Sequence, residues 1–243
     1  MKKNLRPLLI LAVPVCGIVA SLLQAWFFST TDAKGLPAAG HISQILVWIL
    51  TATVAAFLGW LTRPFLQAPK YSFNFPASVI AAIGMILAAF GILSTAVTQL
   101  LGGGDTLGKV TAWIGIVSAG ALALSGYSRW TGKQPNVLTH CVTALYFLML
   151  LVSQYRMWSA EPQLQLYCFQ VLASVCLMIA TYQRACFDGD MGHRRSYAFF
   201  RLAGCYCCLA ALPGSEFFLL YLTAGIWCLT DLCNLTPMPH EGR

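Results

Sequence analysis

Several mostly apolar runs of about 20 residues set the strongest limit on this fold, because that length crosses the ~30 Å hydrocarbon core of a bilayer. Charge is correspondingly rare. Only 9% of the 243 residues are charged and 58% are hydrophobic, whereas a soluble domain carries about 25% charge. The expected fold class is all-α, a polytopic integral membrane helix bundle forming a single transmembrane domain over 1–243. Its helices associate through close packing and interhelical hydrogen bonds.

Eight segments follow from the runs: 7–28, 41–62, 76–101, 107–127, 137–155, 164–183, 196–212 and 215–234. The first carries Pro14 and follows Lys2, Lys3 and Arg6. It is too long for a signal h-region and no A-x-A site ends it, so it reads as an uncleaved helix. Cleavage would leave seven crossings. Pro76 suits the first turn of segment three. Asp105 or Thr106, Asn136 and Ser215 are candidate caps of segments four, five and eight. The run 196–234 would be about twice the membrane thickness as one helix, and Pro213-Gly214 divides it into a hairpin. Ala52/Ala56 and Ala55/Gly59 on segment two, and Gly115, Ala119 and Ala123 on segment four, form small-residue stripes of the kind that let helices approach.

Loop charges test this count. With the N-terminus inside, Lys2, Lys3, Arg6, Arg63, Lys70, Arg129, Lys133, Arg184, Arg194, Arg195, Arg201 and Arg243 fall on the inner side. Only Lys34, Lys109 and Arg156 fall outside. This is the bias expected of cytoplasmic loops, and it puts both termini in the cytoplasm. Aromatics form two belts, with Trp26, Trp113, Tyr155, Trp158 and Tyr167 outside and Trp60, Tyr127, Trp130, Tyr182 and Tyr197 inside. The net charge of +7 is explained by topology. No Lys/Arg run resembles a nucleic-acid patch.

The most charged stretch, Thr181 to Arg201, reads as the largest cytoplasmic loop. Asp188 and Asp190 flank Gly189, with His193 nearby, and could hold a divalent cation against a phosphorylated headgroup. The plainer reading of the same residues is a solvated turn, since Asp-Gly is ordinary turn chemistry. The longer motif of the CDP-alcohol phosphotransferases is absent. Arg201 and Asp231 are the deepest charges, about one turn in from the inner ends of segments seven and eight, and are expected to pair. His140 reads as interfacial.

Gln24, Gln44, Gln99, Gln154 and Gln170 come from five segments yet all fall in the outer half. Such a layer of amides could line a pocket for an uncharged polar solute or lipid headgroup, or could bond helix to helix. Among the ten cysteines, Cys205-Tyr206-Cys207-Cys208 lies inside an apolar segment with no His or carboxylate at ligand spacing on it. They read as small hydrophobes rather than as a disulfide or metal framework. No nucleotide, metalloprotease or hydrolase fingerprint occurs, and no cofactor or catalytic residue is assigned.

The last hundred or so residues carry LYFLMLLVSQYRMWS, QLQLYCFQ and YQRACFDGDMGHRR. They resemble an uncharacterised family of bacterial multi-pass membrane proteins, a resemblance that implies no activity. Three functions are carried forward. One is a permease or binding protein of the plasma membrane. Another is a scaffold or regulatory subunit that docks a membrane or cytoplasmic protein. The third is an enzyme acting on lipid-linked phosphate. Membrane lipids are the expected surroundings in each case.

Overall fold

The structure, a computed structural model, describes residues 5–30, 41–63, 69–102, 106–158, 167–233 and 235. Lys2, Lys3, Lys34, Asp105 and Arg243 lie outside the described residues. Among those described, every regular element is a helix: α1 (Leu5–Ser29), α2 (Ile42–Leu61), α3 (Tyr71–Asn74), α4 (Val79–Leu101), α5 (Thr106–Thr131), α6 (Val137–Trp158), α7 (Cys168–Asp188), α8 (Arg194–Ala210) and α9 (Phe218–Cys233). Five of them, α1, α2, α4, α5 and α6, are long and apolar enough to cross a membrane.

Local chemistry explains the ends. The His41 ring nitrogen accepts from the Ser43 backbone N–H and caps α2. Ser78, rather than Pro76, starts the third long helix; its hydroxyl accepts from the Ala81 N–H. Asn136 Oδ1 accepts from the Leu138 N–H at the start of α6, and the Ser215 hydroxyl accepts from the Phe217 N–H ahead of α9. Gly214 takes a left-handed backbone (φ +70) in the turn between α8 and α9, a conformation that glycine adopts without strain.

The helices pair in a closed cycle: α4 with α5, α5 with α6, α6 with α7, α7 with α8, α8 with α9, and α9 with α4. The helices α1 and α2 lie outside it, against α8. Two glycines allow α4 to meet α9 closely. A Cβ at Gly84 would lie 2.0 Å from the Thr230 hydroxyl, and one at Gly91 would lie 2.0 Å from that of Thr223.

Three expectations need correction. The stretch from Thr181 to Arg201 is mostly helix; only residues 189–193 separate α7 from α8. The alanines of the α2 stripe face outward, and nothing lies within 4 Å of a Cβ placed on Gly59. On α5 the buried stripe is Ala112, Gly115, Ala119, Leu122, Gly126 and Arg129, not Ala123. The 3.6-residue period carries the stripe past Ala123.

Candidate functional site

That buried face of α5 ends in an arginine. Arg129 is 1% exposed and Arg184 and Arg201 are 0% exposed. They come from α5, α7 and α8 and gather at one end of the helix cycle, with Asp188 and Asp231 as the buried carboxylates among them. Buried ionisable groups in such a bundle are costly unless paired.

Asp231 takes two of the arginines. Its carboxylate lies 3.1 Å from Arg201 Nη2 and 3.9 Å from Arg184 Nη1, and the Tyr197 hydroxyl donates to it. Asp188 lies 2.6 Å from His140 Nδ1 and 3.8 Å from Arg184 Nε. Aromatic faces take the remaining contacts. Arg201 stands 3.9 Å from the Trp227 ring centre, and Arg184 stands 3.5 Å from that of Phe75. Arg129 faces the same Phe75 ring at 5.1 Å. Among the described residues none of its three guanidinium nitrogens has a hydrogen-bond partner, and neither do those of Arg184.

Residues 69–75 close this end. Asp190, in the left-handed region (φ 57), accepts from the Tyr71 backbone N–H at 2.8 Å and so ties the 189–193 turn to α3. Phe75 packs edge-on against Phe187 and Tyr197. Burial pushes the Tyr71 phenol above its ordinary value, while the Arg184 charge pulls it down.

The structure brings Arg201 and Asp231 together, and it separates Asp188 from Asp190. The two aspartates have different partners, and no group of three His, Cys, Asp or Glu side chains suited to a metal ion occurs among the described residues. His193 stands just ahead of α8 and makes no side-chain cap. His140 and Tyr197 are both fully buried within the protein, and both belong to this cluster.

The glutamines do not converge on one pocket. Gln154 and Gln170 are buried between α6, α7 and α9. Gln154 Nε2 donates to the Tyr221 hydroxyl at 3.2 Å, Ser174 donates to Gln154 Oε1 at 3.3 Å, and the Gln170 backbone carbonyl is 3.4 Å from Tyr221. Gln24 is buried on α1 and Gln44 is half-buried on α2. Of the five, only Gln99 lines the cavity of about 510 Å³ at the opposite end of the cycle from the arginines. Thr98, Ser153, Arg156 and Glu216 also line it, and Gln99 Oε1 is buried there without a partner.

Sequence reasoning did not bring Arg129, Arg184 and His140 together, because it assigned the two arginines to loops and His140 to the interface. A signal was present. Arg129 continues the spacing of Leu122 and Gly126, and the aromatic partners in Tyr127-x-Arg129 and Tyr182-x-Arg184 point outward.

Fold and cluster together define an all-helical protein whose apolar helices enclose a charged interior. No family model matches the chain, and neither a curated protein nor a solved structure does.

Proposed function

We propose that this is a multi-pass plasma-membrane protein with both termini in the cytoplasm, and that it is a binding protein or permease for an uncharged polar solute or lipid headgroup. In this reading α7, α8 and α9 add three crossings to the five apolar helices, giving eight. α9 is apolar but only 16 residues long, and the deepest charges of the three helices face protein rather than lipid: Arg184, Arg201 and Asp231 are all fully buried.

One observation carries the functional reading. Gln99 Oε1 lies buried without a partner among the described residues, on a cavity that Thr98 and Ser153 also line, and Gln154, Ser174 and Tyr221 form a separate buried hydrogen-bonded group between α6, α7 and α9. Neutral amides bind neutral polar groups, and an unmet buried acceptor favours a ligand that donates to it. The scaffold reading has its support in α2, which leaves Ile42, Ile45 and Ile49 exposed to lipid or to a partner protein. The lipid-phosphate enzyme has less, since the protein itself engages both Asp188 and Asp190.

The test is a melting screen of the full chain in lipid nanodiscs against polyols, sugars and small amides, comparing wild type with Gln99→Leu. A solute that raises the wild-type melting temperature and leaves the variant unmoved supports the reading. A screen in which no solute separates the two proteins counts against it.

A further inference from the structure

Among the described residues the buried cluster does not balance. Arg129, Arg184 and Arg201 face two carboxylates, Asp188 and Asp231. His140, which also bonds Asp188, is neutral or cationic and cannot supply the missing negative charge. Asp231 sits closest to Arg201, and the ion pairs of Arg184 at 3.8 and 3.9 Å are longer than hydrogen bonds. Arg129 has no ion pair within 4 Å among the described residues, and all its nitrogens are buried and unbonded.

A guanidinium cannot shed its proton in a protein. A buried one without a counter-charge is strongly disfavoured, and water would meet its donors without cancelling its charge. An oxyanion does both. Guanidinium forks match phosphate oxygens in pairs, and here two forks without hydrogen bonds lie against one phenyl ring. We propose that Arg129 and Arg184 form a site for a phosphate group, free or on a lipid headgroup, at the arginine end of the bundle. The phosphate bridges the two guanidiniums and displaces the Phe75 ring that both face. The site is at the opposite end of the helix cycle from the Gln99 cavity and takes a ligand of different charge.

The full chain in nanodiscs tests this by melting. In phosphatidylcholine discs, inorganic phosphate is titrated against sodium chloride of equal ionic strength. In a second arm, phosphatidic acid replaces part of the lipid and phosphate is omitted. The expected result is a saturable rise in melting temperature that chloride does not reproduce and that Arg129→Gln abolishes. A rise in the first arm identifies free phosphate as a ligand, one in the second a lipid headgroup, and a rise in both means that the site takes either. If Arg129→Gln does not fold, Arg129→Lys must bind about tenfold more weakly, since an ammonium keeps the charge but loses the fork. No saturable rise in either arm, or variants that respond like wild type, overturns the proposal.

Discussion

His140 Nδ1 lies 2.6 Å from the Asp188 carboxylate, and both side chains are out of reach of solvent. The contact joins the first turn of α6 to the last residue of α7. Hydrogen bonds to charged groups contribute about 1.5–3 kcal/mol when buried. His140→Ala should cost that much in denaturant or thermal unfolding, and His140→Asn, which can still donate, should cost less. Equal stability of His140→Ala and wild type would show that the contact is not made.

Asp231 serves Arg184, Arg201 and Tyr197 at once. Asp231→Asn should therefore cost about 3–5 kcal/mol, the range for removing one partner of a buried charge pair, and more than Tyr197→Phe. Exchanging residues 201 and 231 should rescue only part of this loss, because an arginine at 231 would face Arg184. A full rescue in unfolding measurements would mean that Arg184 does not take part.

Glycine substitutions separate real helix contacts from apparent ones. Gly84→Ala should lower stability by about 1–3 kcal/mol, as overpacking does, because its Cβ would meet the Thr230 hydroxyl at 2.0 Å. Thr230→Ala in the same chain should recover part of that. Gly59→Ala meets nothing within 4 Å and should be neutral or stabilising, since alanine is the better helix former. Melting curves of the four proteins decide it; a harmless Gly84→Ala would contradict the α4–α9 packing.

The helices were legible because apolar runs and turn residues act locally. The 196–234 hairpin follows from Pro213-Gly214 alone, and counting from that turn brings Arg201 and Asp231 to one depth. The interior was harder to read. Charge counting explains an arginine equally well in a loop or inside the bundle, and it assigned Arg129 and Arg184 to loops. What distinguishes the two cases is helical phase, and the phase of Arg129 matches the buried face of α5. The 164–183 segment ended too early because Arg184 and Asp188 looked like loop charges, whereas each finds a buried partner across the bundle. The partners of the glutamines depend on which helices are neighbours. No local pattern carries that.

In the proposed reading the Gln99 cavity opens to the outside of a membrane-spanning bundle. Gly108 lines that cavity, and a Cβ there meets nothing within 4 Å, so Gly108→Cys places a thiol in the cavity without a clash. The direct measurement is labelling of this variant by a membrane-impermeant maleimide on intact cells, with the unsubstituted chain as background. The account predicts labelling above background before the cells are permeabilised. Labelling that appears only after permeabilisation would put the cavity on the other face, and no labelling under either condition would mean that the cavity is closed; either result contradicts it.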